Sequence, residues 1–235
     1  MTNKIKVYEL VTKEVGGVSN SPFAITVMVY LKHKVLDFET VPITYIDVGS
    51  TIKELTNGKW GQVPTVVFPN GDIIFDSPEI AKYLDENYPA NPLIVQDAKL
   101  DSYIKNYTTS SVPVAFKLIM KDLYNLLDER NQKLFKIEFE NKFDFIKGSK
   151  EQKIEQYSEG LKSIDNVLSE RKFLNGSSPL IHDYRLISWI QSFRTINPSI
   201  YEDLVLNNSS IKNVARWARD MDEELDGYLK NRKTA

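Results

Sequence analysis

Two short stretches of this chain set polar groups where they could hold a peptide-like ligand, one of them taking both charges of an amino-acid head group. In Asp76-Ser77-Pro78-Glu79 a helix opens, with Ser77 read as its N-cap and Pro78 at the first helical position. A helix start offers free N–H groups and a partial positive charge, which suit a carboxylate. Asp76 beside it suits an ammonium, so an α-carboxylate and an α-amine would fit Ser77 and Asp76 together. The second stretch is Val63-Pro64. A cis bond there, a minority state among X–Pro bonds, turns the N–H and C=O of Val63 outward to pair with a peptide-like ligand. Ser21-Pro22 repeats the Ser77-Pro78 syntax, and by residue type alone Ser21 is a helix cap.

The elements that must position these groups are readable around them. Residues 65–68 and 73–75 are β-branched and aromatic runs, hence strands. Pro69-Asn70-Gly71-Asp72 joins them as a hairpin, and the Asn–Gly pair predicts positive φ at both central positions. The helix after Ser77 carries its apolar stripe on Ile80, Tyr83 and Leu84 and stops at Asn87-Tyr88-Pro89. Upstream, residues 5–10 alternate as a half-buried strand, and residues 12–19 with Gly16-Gly17 form a loop. Residues 23–34 form a helix ending in Lys32-His33-Lys34, cations that suit a helix C-terminus. Residues 40–47 predict a second strand, at a sheet edge because Pro42 lacks a ladder donor. Residues 48–60 are an irregular or short helical connection. The order β-α-β-(α)-β-β-α is that of a thioredoxin-like α/β domain with a four-stranded mixed sheet.

Past Ala90-Asn91-Pro92 no strand pattern occurs. Helical patterns cover residues 98–127, with a break or kink near Pro113, then 131–147, 151–173, 183–196 and 211–229, an all-α bundle.

Composition narrows the chemistry. The 235 residues, 42% hydrophobic and 26% charged, describe a globular chain of one large or two small domains. A net charge of −2 supplies no electrostatic attraction to nucleic acid or an anionic membrane. The absence of cysteine excludes disulfides, cysteine nucleophiles, zinc–thiolate sites and thiol transfer through an enzyme mixed disulfide. The two histidines, His33 and His182, are far apart in sequence, so no metal site is expected. The polar N-terminus shows no secretory signal, and no apolar run reaches about 18 residues. A cytoplasmic protein is expected.

Val63-Pro64, a hairpin, then Asp76-Ser77-Pro78 and an amphipathic helix resemble the glutathione site of the cytosolic glutathione transferase superfamily. The segment Lys4-Ile5-Lys6-Val7-Tyr8-Glu9-Leu10 follows the family's order, as do Ser21-Pro22-Phe23-Ala24, Leu31-Lys32-His33-Lys34 and Tyr83-Leu84-Asp85-Glu86-Asn87-Tyr88-Pro89. The long loop before Ser21 and the Leu-Lys-His-Lys segment are most similar to the β-etherase-related branch, which includes bacterial lignin β-etherases and a fungal A class. The resemblance covers residues 4 to about 95 and is thinner beyond, resting on Lys172-Phe173-Leu174-Asn175-Gly176 and Asp183-Tyr184.

That resemblance implies a glutathione-binding domain over residues 1–91 and an electrophile-binding helical domain over 92–235. Ser21 would donate to the glutathione thiolate, with Ser19 and Asn20 as local rivals. Val63, turned by Pro64, would hold the cysteinyl backbone, and Asp76 with Ser77 the γ-glutamyl end. Gln62 or Lys59, or else Lys53, would reach the glycine carboxylate. Tyr107, Ser111, Val114 and Phe116 would line the electrophile pocket between the domains, and Trp189 and Trp217 read as core aromatics. The implied activity is a serine-type transferase attacking an electrophilic carbon or a hydroperoxide, with glutathione as co-substrate, no metal, and a homodimeric assembly. The rivals are a glutathione-dependent β-aryl ether cleaving enzyme and a non-catalytic ligand-binding or regulatory protein.

Three places depart from the family pattern. Leu180 stands where a capping Ser, Thr or Asn is usual three residues before Asp183. Ile25-Thr26-Val27-Met28 follows Ser21-Pro22 where basic residues are common. Val35 replaces a common Gly, which removes an easy left-handed exit from the helix.

Overall fold

The computed structural model describes residues 4–139 and 141–235. Four strands, β1 (Ile5–Val11), β2 (Phe38–Thr44), β3 (Thr65–Val67) and β4 (Ile73–Phe75), form one sheet in the order β2-β1-β3-β4. β1 runs parallel to β2 and antiparallel to β3, and β3 is antiparallel to β4, so the sheet is mixed. Pro42 sits in the outermost strand, where its missing donor costs no ladder bond, and β2 begins two residues earlier than the pattern predicted and ends three sooner. The helices α1 (Pro22–His33), α2 (Val48–Leu55) and α3 (Ser77–Asn87) complete this half.

The hairpin between β3 and β4 differs from expectation. Only Gly71 has positive φ, at 91°; Phe68 N–H donates to Asp72 C=O and Gly71 N–H to Phe68 C=O. This is a three-residue loop, a turn through Pro69-Asn70 followed by a left-handed glycine, because Pro69 fixes a negative φ where a two-residue turn would need freedom.

α1 ends in the left-handed exit that Val35 was expected to discourage. Val35 has φ 56°, and Leu36 N–H bonds to Leu31 C=O at 2.9 Å, closing the helix in the usual six-to-one pattern. A β-branched residue bears a steric cost there of about 1–2 kcal/mol. Val35→Gly is therefore expected to raise stability by about 1 kcal/mol, since Val35 is 82% exposed and little packing is lost. A higher urea midpoint at unchanged slope would show it; a lower midpoint would mean Val35 makes a contact that outweighs its strain.

Just before it, Lys34 is fully buried and meets Asp85 at 2.6 Å, while its ammonium also donates to the carbonyls of Tyr88 and Ala90. Burial pushes the Asp85 carboxyl up, but the bonds from Lys34, Leu93 N–H and Ile94 N–H together hold it below its usual value. The end of α1 is thus fastened to the segment leading out of α3.

The remaining chain is helical: α4 (Ala98–Leu126), α5 (Glu129–Phe139), α6 (Lys150–Glu159), α7 (Lys162–Glu170), α8 (Ile181–Ile196), the short α9 (Pro198–Tyr201) and α10 (Lys212–Glu224). α4 runs unbroken across Pro113, correcting the expected break. The helix predicted over 131–147 ends at Phe139, and the one predicted over 151–173 divides at Gly160. The glycine at that point has a steric role: a Cβ at Gly160 would lie 2.1 Å from Ser111 Oγ, so its absence lets the end of α6 reach α4. α1 packs on α8, and a continuous apolar core joins the two halves. Tyr184 of α8 bonds His33 of α1 through its hydroxyl at 2.7 Å. No described helix is long and apolar enough to cross a membrane.

Candidate functional site

The strand registers bring the three Ser- and Pro-marked segments to one end of the sheet. Tyr8 faces Thr65 across β1 and β3, so Pro64 and Val63 continue past the end of β3 beside Glu9 and Leu10. Thr65 faces Phe75, so Asp76 and Ser77 leave β4 beside Pro64. The third segment is tied in by Asn20 N–H, which donates to Leu10 C=O at 3.3 Å and sets Ser21 at the same end of β1.

Each segment arrives with polar groups unspent. The Val63–Pro64 bond is cis, and neither the N–H nor the C=O of Val63 bonds within the described residues. Thr65 Oγ1 donates to Gln62 C=O at 3.0 Å, bracing the loop from inside. α3 begins one residue earlier than expected: Asp76, not Ser77, is the N-cap, its C=O accepting from Ile80 N–H at 2.9 Å. No side chain caps this helix, so the Asp76 carboxylate, the Ser77 hydroxyl and the first-turn N–H groups have no partner among the described residues. Asp76 has φ 67° and ψ 130°, a sparsely populated backbone state for a residue with a Cβ. Such strain concentrates at functional sites, and here it aims the start of α3.

Ser21 is buried and caps α1, its Oγ accepting from Ala24 N–H at 3.3 Å. An accepting hydroxyl keeps its proton, so Ser21 can cap the helix and still donate to a ligand. Its two rivals face other partners. Asn20 donates through its amide nitrogen to the Tyr45 hydroxyl at 2.7 Å, leaving its buried Oδ1 unpartnered. Burial pushes the Tyr45 phenol up to about 12, so it stays protonated at neutral pH. Ser19 lines a separate cleft with Glu9 and Arg232.

Of the residues proposed for the glycine end, Gln62 and Lys59 are exposed, and the Lys53 stem lies against Gly61. Trp60, which no sequence signal singled out, stacks on Phe75 at 5.3 Å with its buried Nε1 unpartnered.

The electrophile-pocket candidates divide. Tyr107 and Ser111 are fully buried between α4 and α6, bonded to the Tyr157 hydroxyl and carbonyl, and Val114 is buried beside them. Tyr107 and Ser111 therefore face the bundle interior rather than the domain junction. Phe116 is the exception: it meets Phe143, Phe193 and Trp189, and Trp189 in turn meets Phe23 at 5.3 Å, two residues after Ser21. Trp189 is thus partly buried at the edge of the core, where it meets α1, whereas Trp217 is fully buried. A second aromatic line, Tyr45–Phe135–Phe139, runs from Asn20 along α5. Asn131 of α5 accepts from Ile46 N–H at 2.9 Å, and Arg130 meets Asp47, so α5 is docked on the β2–α2 connection. Two aromatic lines thus start from residues near Ser21 in the chain, one at Phe23 and one at Asn20. Their pairing was hidden because the partners lie far apart in sequence. Among the described residues no cluster of His, Asp or Glu suits a metal ion.

With this geometry in view, comparison with known proteins is direct. Residues 20–87 match the family model of the glutathione S-transferase N-terminal domain. A glutathione S-transferase of Hyoscyamus muticus is 34% identical over 111 residues, 43% of this chain and 51% of that protein, so the match spans about half of that relative. Among solved structures, a glutathione S-transferase of Ceriporiopsis subvermispora in complex with glutathione superposes with a TM-score of 0.79. It is 21% identical, with 97% of this chain and 100% of that one covered. A glutathione transferase from Phanerochaete chrysosporium gives 0.77 at 21% identity, with coverage of 97% and 98%. The fold, a thioredoxin-like domain with a four-stranded mixed sheet followed by a helical domain, is the one seen in these two solved structures.

Proposed function

We propose that this protein is a serine-type glutathione transferase. The observation that carries the reading is the convergence of three unspent polar sets at one end of the sheet: the Ser21 hydroxyl, the Val63 backbone and the Asp76-Ser77 helix start. They match the thiol, the cysteinyl peptide unit and the γ-glutamyl zwitterion of glutathione in order. The carboxylate takes the free N–H groups and hydroxyl at Ser77, and Asp76 takes the ammonium. Ser21 donates to the sulfur and keeps it as thiolate at neutral pH. The thiolate then attacks an electrophilic carbon, forming a C–S bond as the leaving group departs with its electron pair. With a hydroperoxide it attacks the terminal oxygen, forming an S–O bond (a sulfenic acid) as the O–O bond breaks. The departing alkoxide takes a proton from water and leaves as the alcohol. Phe23, Trp189, Phe116 and Phe143 offer an apolar wall beside that sulfur for the electrophile. By family resemblance the working unit is a homodimer.

Ser77→Ala tests the site. Loss of one charge-assisted bond is expected to weaken glutathione binding by about 1–3 kcal/mol, measured by calorimetric titration of the folded variant. Unchanged affinity would remove this stretch from the glutathione site. Conjugation and peroxidase assays on the wild type then separate a transferase from a non-catalytic binder, and a β-aryl ether substrate separates the remaining rival.

A further inference from the structure

β1, the loop 12–19 and the C-terminal tail enclose a cleft of about 490 Å³ that the glutathione reading does not use. It holds Glu9 and Arg232, each with 10% of its side chain exposed, with Glu9 Oε2 4.0 Å from Arg232 Nη2. That distance is an ion pair but not a hydrogen bond. Glu9 Oε2, Arg232 Nε and Ser19 Oγ are buried and make no hydrogen bond. The rest of the Arg232 guanidinium is anchored, Nη1 donating to the Tyr228 hydroxyl at 3.2 Å and approaching Met28 Sδ at 3.6 Å. Lys13 and Glu14 stand at the exposed rim, and Lys233 there donates to Gly16 C=O at 2.7 Å. Val11, Pro42 and Tyr228 supply an apolar wall.

A buried acceptor and a buried donor without hydrogen bonds each cost free energy, and side by side they suit a ligand that carries both charges. We propose that this cleft binds the α-ammonium and α-carboxylate of an amino acid, the ammonium on Glu9 and the carboxylate on Arg232, with the Ser19 hydroxyl as a third contact. In an α-amino acid the nitrogen and the nearer carboxylate oxygen lie about 3 Å apart by ordinary bond lengths. Two parallel charge-assisted hydrogen bonds can then form to partners 4.0 Å apart. The apolar wall favours an apolar side chain. Free amino acids and the γ-glutamyl end of glutathione share this head group.

The test is calorimetric titration of the full chain with L-phenylalanine, 2-phenylethylamine, 3-phenylpropionate and glutathione. Saturable binding of phenylalanine is expected, with affinity about tenfold or more lower for each analogue lacking one charge. Glu9→Gln and Arg232→Gln should show the same loss, and Ser19→Ala a smaller one. Ser77→Ala should bind phenylalanine as the wild type does. If glutathione displaces phenylalanine from Ser77→Ala, the tripeptide is a natural source of the head group; if it does not, free amino acids are. No saturable binding of phenylalanine to wild type, equal binding of the one-charge analogues, or undiminished binding by folded Glu9→Gln would overturn the proposal. Should the charge variants not fold, the analogue series and Ser19→Ala decide the question by themselves.

Discussion

Replacing Asp183 with Ala is expected to lower the stability of the whole chain by about 3–5 kcal/mol. Asp183 is fully buried and accepts from Leu174 N–H at 2.8 Å, Trp217 Nε1 at 2.8 Å and Leu180 N–H at 3.2 Å. One carboxyl thus ties the turn before α8, the start of α8 and the middle of α10. Alanine would leave three buried donors without acceptors, each a costly loss. Leu180 has no side-chain acceptor, so only the return half of a capping box exists here, and Asp183 carries that helix start alone. The pH dependence is a second readout. Burial raises the carboxyl from 3.8 to about 6 against the pull of its donors. The folded state therefore holds this proton more tightly than the unfolded one. The resulting stability is fully present below the unfolded value and lost as pH rises through the folded one. The advantage of wild type over Asp183→Asn should shrink from about pH 4 to pH 7 in urea unfolding. An advantage that grows over that range would show that the donors, not burial, dominate.

The N-terminal half was legible because its signals are local. Pro42, the β-branched runs at 65–67 and 73–75, and the two Ser–Pro helix starts each act within a few residues of themselves. Even there the exact cap of α3 was missed by one position, because a strained Asp76 is a product of the whole turn and not of residue preference. The helical half was readable as helices but not as a surface. Whether Tyr107 or Phe116 faces the junction depends on the rotation of α4 against α6, two helices that meet closely where Gly160 approaches Ser111. The periodicity of α4 alone carries no trace of it. For the same reason Trp189 read only as a core aromatic; its meeting with Phe23, 166 positions earlier by number, leaves no local signal. The Glu9–Arg232 cleft was equally hidden, since nothing near Glu9 in sequence announces a tail residue.

Ser21→Ala is expected to raise the thiol pKa of bound glutathione by about one to two units, the worth of one charge-assisted hydrogen bond. Turnover near neutral pH should fall by about tenfold or more, and the deficit should close at alkaline pH, where thiolate forms unaided. Glutathione affinity should hold, since the Val63 and Ser77 contacts lie on other segments. The complication is that Ser21 also caps α1 through Ala24 N–H, so alanine additionally costs about 1 kcal/mol of stability. Ser21→Gly separates the two roles. Glycine at an N-cap loses only a few tenths of a kcal/mol relative to serine, yet it lacks the hydroxyl as completely as alanine does. If Ser21 acts on the sulfur, the glycine variant keeps near wild-type stability and shows the full shift in thiolate absorbance with pH. If Ser21 is a cap alone, the glycine variant titrates its bound thiol as the wild type does. Attention would then move to Ser19 and Asn20, both held at the end of β1.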